Sequence, residues 1–69
     1  MKPVVKFHSR GESGNIFAIM GSVKKALEDC GRLSEYWELQ ARIFRSESYE
    51  RALHVMREKV DLIDLDKKY

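Results

Sequence analysis

The chain has 69 residues, of which 43% are hydrophobic and 35% charged, a balance that is typical of a folded domain and argues against a disordered tail. We therefore expect a single small domain over residues 1–69. The net charge of +2 is small, and acidic and basic residues are interspersed, so the sequence lacks the strong positive charge that is typical of nucleic-acid-binding proteins. Because Cys30 is the one cysteine and no apolar run approaches the roughly 18 residues of a membrane span, we expect a cytoplasmic protein outside the membrane.

The first predicted element is a short strand at residues 3–8, where alternation places Val5 and Phe7 on one side. Residues 9–14 contain two glycines and small polar side chains, which is typical of a loop.

A loop between a strand and a helix can also bind an anion through backbone N–H groups. The residues of this weaker alternative are Gly11, Ser13, Gly14 and Asn15. Against it, Glu12 would repel an anion and the lysine of a phosphate-binding loop is missing. A plain turn, in which Ser13 or Asn15 caps the helix, is the favoured interpretation.

A helix is expected over about residues 15–30, because apolar residues recur there at steps of three and four. This stripe consists of Ile16, Met20, Val23, Leu27 and Cys30, and Phe17 and Ile19 widen it at its beginning. Its position on the stripe predicts that Cys30 is a small buried residue and not a nucleophile. Gly31 is placed to end the helix, and Gly21 inside it indicates a close helix crossing.

A second helix is expected with Ser34 as its N-cap. Its apolar residues span an arc too wide for one neighbouring helix to cover: Tyr36, Trp37, Leu39, Ala41, Ile43 and Phe44. The helix should therefore contact neighbours on two sides and leave part of the arc exposed. Glu38 and Arg42 have the spacing of an exposed ion pair.

A third helix is expected after Ser46 or Ser48, which are alternative N-caps. Its apolar face consists of Tyr49, Ala52, Leu53, Met56 and Val60. Residues 60–66 fit either a continued helix or a bulged strand. We favour a strand, because its aspartates can attract the basic first strand, which would otherwise expose an unpaired edge.

The expected fold class is thus α+β, a three-helix core with a short two-stranded sheet from the N- and C-terminal segments. An all-α three-helix bundle is the alternative.

Two segments resemble a family of small uncharacterised proteins found in bacteriophages, prophages and other mobile elements. The first segment is Gly14-Asn15-Ile16-Phe17-Ala18-Ile19-Met20-Gly21, followed by Ala26-Leu27 and Gly31. The second is Ser46-Glu47-Ser48-Tyr49-Glu50-Arg51-Ala52-Leu53, in which Glu47 and Ser48 replace the usual glycine and aspartate. The resemblance implies a compact helical scaffold of phage or mobile-element origin and implies no activity.

The sequence contains no recognisable catalytic constellation, zinc spacing or cofactor motif, so we expect a non-enzymatic protein without a cofactor or metal. The favoured function is an accessory or interaction module that binds a protein partner, or a second copy of itself, through a helical aromatic surface. The candidate partner-binding residues are Tyr36, Trp37, Phe44 and Tyr49.

Nucleic-acid binding by the second and third helices is the alternative function. Its candidate residues are Arg42, Arg45, Arg51 and Arg57. Glutamates are interleaved with these arginines, which favours an ion-paired solvated surface.

Overall fold

The computed structural model describes residues 2–11 and 14–66. These residues form two strands and three helices in the order β1 (Val4–Phe7), α1 (Ile16–Asp29), α2 (Leu33–Phe44), α3 (Tyr49–Met56) and β2 (Asp61–Asp64). The first and last of these elements form a two-stranded sheet. The predicted α+β fold is confirmed, and the all-helical alternative is wrong.

The two strands run parallel, with Val4 opposite Asp61 and Phe7 opposite Asp64. A parallel pair needs a long crossover connection, and the three helices together provide it. The predicted alternation of β1 is confirmed, because Val5 and Phe7 are buried whereas Val4 is exposed. The inner face of the sheet therefore contributes to the hydrophobic core.

Asp64 and Asp66 contact the residues that follow β1. Oδ1 of Asp66 lies 2.9 Å from Nδ1 of His8, and Oδ2 accepts a hydrogen bond from the Arg10 backbone at 2.9 Å. The contact with His8, followed by that with the Arg10 amide, lowers the pKa of the Asp66 carboxyl. Oδ1 of Asp64 accepts from the Ser9 backbone at 3.3 Å. The two aspartates thus fix the segment after β1 to the segment after β2.

One core cluster lies between the helices and the inner face of the sheet. Its most deeply buried side chains are Ile19, Val23, Leu27, Leu39, Met56 and Val60. The prediction that Cys30 is buried is wrong, since its side chain is exposed. Cys30 is the C-cap of α1 and stands beyond the last turn that packs on the core.

The two ends of α1 follow signals in the sequence. Asn15 is the N-cap, and its side-chain oxygen accepts a hydrogen bond from the Phe17 backbone at 2.8 Å. At the other end Gly31 has a φ of 72°, a conformation that favours glycine. The Arg32 N–H then reaches back to the carbonyl of Leu27 at 2.7 Å, as in a Schellman motif.

The predicted helix crossing at Gly21 is wrong. Gly21 is exposed, and no atom lies within 4 Å of a Cβ placed there. The glycine that a close approach requires is Gly14, where a Cβ would lie 2.5 Å from the carbonyl oxygen of Ser9 and 2.6 Å from that of His8.

Helix α2 begins at Leu33, with Arg32 as its N-cap, so the prediction that Ser34 caps it is wrong. The Schellman turn leads directly into the helix, and Arg32 forms a two-point ion pair with Glu35 at 2.6 and 2.9 Å. The Lys59 ammonium also donates to Glu35 at 3.2 Å. The bond with Arg32, and then that with Lys59, lowers the pKa of Glu35 to about 2.

Arg42 pairs with a different glutamate from the one that the sequence predicts. Its guanidinium donates to both carboxylate oxygens of Glu58 at 2.8 and 2.7 Å, and no ion pair in the described part of the chain joins it to Glu38. Because Glu35 and Arg42 lie about two turns apart on α2, their partners Lys59 and Glu58 fix the turn after α3 to this helix.

Ser48 is the N-cap of α3, and its hydroxyl accepts from the Arg51 backbone at 3.2 Å. Ser46, the alternative cap, instead donates its hydroxyl to the carbonyl of Ile43.

Within residues 2–11 and 14–66, no helix is long and apolar enough to cross a lipid bilayer.

Candidate protein-binding site

A pocket of about 300 Å³ opens where the first turn of α1, the last turn of α2 and the first turn of α3 meet. Its rim carries three aromatic side chains, with exposed fractions of 68% for Phe17, 63% for Phe44 and 38% for Tyr49. Its floor is formed by the core residues Met20, Ile43 and Ala52. We call this pocket the aromatic groove.

The two phenylalanines are exposed for the same helical reason. Successive residues of an α-helix are turned by about 100°. Phe17 follows Ile16, which packs against the core, and Phe44 follows the buried Ile43. Each phenylalanine is therefore turned away from the core and faces the groove that their helices share.

Tyr49 is held in place by a hydrogen bond from its hydroxyl. Its hydroxyl donates to the carbonyl oxygen of Gly14 at 2.7 Å, and its ring lines the aromatic groove. Partial burial, followed by the negative charges of Asp64 and Glu50, raises the pKa of this phenol. The rim of the groove is thus fixed where α3 begins.

The predicted partner-binding residues do not form one patch. Tyr36 is 3% exposed and belongs to the core, so its predicted role on a binding surface is wrong. Trp37 is 49% exposed but does not line the groove; the Lys24 ammonium lies 4.9 Å from the centre of its ring. Phe44 and Tyr49 do come together. The groove also includes Phe17, for which the apolar stripe of α1 predicts a core position; the turn of about 100° between Phe17 and Ile16 is the signal in the sequence that points to the groove instead.

A second cavity, of about 420 Å³, adjoins the groove at the turn between α2 and α3. Three of the four predicted arginines line it, namely Arg42, Arg45 and Arg51. Ser46 and Glu47 line both this cavity and the aromatic groove. We call the second cavity the basic cavity.

Arg57 does not line the basic cavity. It is the C-cap of α3, and its backbone carbonyl accepts a hydrogen bond from Lys2 at 2.8 Å. Among the ion pairs of the described residues, Arg42 is bound to Glu58, whereas none involves Arg45 or Arg51.

In the loop between β1 and α1, the described residues that could bind an anion form hydrogen bonds within the fold instead. The Gly11 amide donates to the carbonyl of His8 at 3.1 Å, and the Gly14 amide donates to the carbonyl of Gly11 at 3.0 Å. Asn15 caps α1 through its side chain. This arrangement favours the plain turn over the anion-binding alternative, and Ser13, the remaining candidate, lies outside the described residues together with Glu12.

No group of three or more His, Cys, Asp or Glu side chains within the described ranges is arranged to hold a metal ion. No protein-family model matches the chain, and neither the curated proteins nor the solved structures give a significant match.

Proposed function

We propose that this protein is a non-enzymatic interaction module that binds a protein partner through the aromatic groove. The observation that carries the proposal is the pair Phe17 and Phe44, which are 68% and 63% exposed on the rim of one groove. Fully burying an exposed phenylalanine side chain contributes about 1.5–3 kcal/mol, and covering the part of each ring that is still exposed contributes a corresponding share. Exposed apolar side chains that cluster around a concave surface are typical of binding sites.

The arrangement of the groove also supports binding without a large ordering cost. Phe17 and Phe44 lie on helices, and the hydrogen bond from Tyr49 to Gly14 fixes the third rim residue. A backbone that is ordered before binding loses less conformational entropy when a partner arrives. Aromatic residues in such positions are frequent binding hot spots.

We further propose that the module is an accessory protein of a phage or another mobile element and that it acts in the cytoplasm. The resemblance of residues 14–53 to small proteins of such elements supports this origin, and Phe17 and Tyr49 of the groove lie within the two resembling segments. The single cysteine, Cys30, leaves no disulfide within the chain, which fits a reducing compartment.

The test is photo-crosslinking from the groove in extracts of the source cells. A benzophenone analogue of phenylalanine replaces Phe44 in one protein and the exposed Glu38 of the same helix in a matched control. We expect a discrete adduct from position 44 that excess unmodified protein suppresses and that a Phe17→Ser competitor suppresses less. Mass spectrometry then identifies the adduct as a partner or as a second copy of the chain.

The proposal fails if position 44 gives no more adduct than position 38 and light scattering shows a monomer at every concentration. Both measurements are needed, because self-association would occupy the same groove.

Nucleic-acid binding is the second candidate function, and the observation that favours it is the convergence of Arg42, Arg45 and Arg51 on one cavity. Two acidic groups oppose it, since Glu58 pairs with Arg42 and Glu47 lines the same cavity. Binding to duplex DNA or single-stranded RNA would weaken steeply as salt is added. Absence of binding at low salt would remove this candidate.

A further inference from the structure

We infer that the partner segment is acidic as well as apolar, with apolar side chains that enter the aromatic groove and carboxylates that bind Arg45 and Arg51. This inference rests on the proposed function and specifies the chemistry of the partner. The occupant is an amphipathic peptide segment of another protein.

The position of the two cavities supports a single ligand for both. They share Ser46 and Glu47, so a segment that crosses the turn between α2 and α3 contacts both at once. On a helical segment, residues three or four positions apart project from the same side. Such a segment can therefore present apolar and acidic side chains on one side.

The charges around the basic cavity favour an acidic ligand. Arg42 is already bound at two points by Glu58, whereas no ion pair of the described residues involves Arg45 or Arg51. With Arg42 and Glu58 counted as a pair, two positive side chains face the single negative charge of Glu47. Guanidinium groups bind carboxylates through paired hydrogen bonds, which makes arginine well suited to this role.

A peptide fits these surfaces better than a nucleic acid does. The floor of the groove consists of the apolar side chains of Met20, Ile43 and Ala52, which suit an aliphatic or aromatic anchor. Glu47 lies at the junction of the two cavities, where a continuous phosphate backbone would meet its negative charge. A peptide can place an uncharged residue at that point.

The test uses two synthetic helical peptides of equal length that carry the same leucine and phenylalanine anchors. One has glutamates beside the anchors, and the other has glutamines at those positions. Binding is followed through the backbone amide signals of the full chain in NMR titrations. We expect the acidic peptide to shift signals around Phe17, Phe44 and the Ser46–Glu47 turn, and to bind about tenfold more tightly than the glutamine peptide.

Three variants locate the effect. Arg45→Gln combined with Arg51→Gln should weaken the acidic peptide about tenfold and leave the glutamine peptide unchanged. Arg57→Gln is the matched control, since Arg57 lies outside the basic cavity, and it should change neither affinity. Phe44→Ala should weaken both peptides, because they share their apolar anchors.

Equal, Phe44-dependent affinities for the two peptides would overturn the inference and leave the proposed function standing. The inference would also be overturned if Phe44→Ala did not weaken binding of the acidic peptide, because the groove would then not contribute to that binding. The inference is likewise overturned if neither peptide shifts the groove signals, or if single-stranded RNA binds there with a steep salt dependence. The cross-linking from position 44 decides the proposed function separately.

Discussion

The hydroxyl of Tyr49 donates a hydrogen bond to the carbonyl oxygen of Gly14 at 2.7 Å and so joins the start of α3 to the residues that precede α1. These positions lie far apart in the chain, and Tyr49 itself lines the aromatic groove. Tyr49 thus combines a structural hydrogen bond with a partly exposed ring on the rim of the groove.

Tyr49→Phe removes this hydrogen bond and keeps the aromatic ring. We expect the free energy of unfolding to fall by about 1 kcal/mol, because the Gly14 carbonyl loses its partner. Urea denaturation followed by circular dichroism measures the change. Phe44→Leu is the control, since Phe44 is exposed and leucine keeps most of its apolar surface. Equal stability of Tyr49→Phe and the unmodified protein would show that water replaces the bond.

Gly14→Ala and Gly21→Ala should have opposite effects on stability. At Gly14 the new Cβ would lie 2.5 Å from the backbone oxygen of Ser9, which cannot rotate away, so we expect a loss of about 3 kcal/mol. At Gly21 the Cβ meets no atom within 4 Å, and alanine in an exposed helix interior should add about 1 kcal/mol. Thermal unfolding of the two variants gives the comparison; a destabilised Gly21→Ala would reveal a contact at this position.

Leu27→Ala should be among the most damaging core substitutions. Leu27 is 0% exposed, and its truncation costs about 2–5 kcal/mol, a large part of the stability of a domain of this size. Cys30→Ser, one helical turn later, should change stability by less than about 0.5 kcal/mol, because Cys30 is exposed. Denaturant midpoints of the two variants test the contrast. A large effect of Cys30→Ser would indicate that Cys30 is buried, as the sequence pattern predicts.

Glu35→Gln should make stability less dependent on acidic pH. The pKa of Glu35 falls from its ordinary value of 4.5 to about 2, first because of Arg32 and then because of Lys59. A lowered carboxyl pKa stabilises the folded state above the ordinary value, and this contribution is lost as the pH falls towards the folded value. We therefore expect the variant to have the lower Tm at neutral pH, and the difference to shrink between pH 4.5 and about 2.

The carboxyl pKa values of Glu58 and Asp66 are also lowered, by Arg42 and His8 respectively, and both groups remain in the two proteins. Their contributions therefore cancel in the difference between the two proteins. Glu38→Gln on the same helix is the matched control, and a Tm difference for Glu35→Gln that does not change with pH would contradict the prediction.

Local signals in the sequence predict much of this fold. Asn15 and Ser48 cap helices because their side chains accept nearby amide hydrogens, and Gly31 ends α1 because it adopts a positive φ. The alternation of Val5 and Phe7 identifies β1. Each of these features depends on residues that are neighbours in the chain.

Features that depend on distant residues are harder to predict. Arg42 has a suitable glutamate at Glu38, but the tertiary packing offers it Glu58. Tyr36 and Trp37 share one apolar arc, and the placement of the neighbouring elements decides that the first is buried and the second is half exposed. The aromatic groove follows the same rule, because it forms where the ends of three helices meet.

The pairing of β1 with β2 has a consequence for the order of folding during synthesis. Val4 lies beside Asp61, so β1 leaves the ribosome before β2 and has to wait for β2 before the two strands can pair. The three helices can meanwhile form from local contacts, whereas closing the sheet requires a long loop and slows the final step. Until then β1, which carries the core residues Val5 and Phe7, lacks its partner strand.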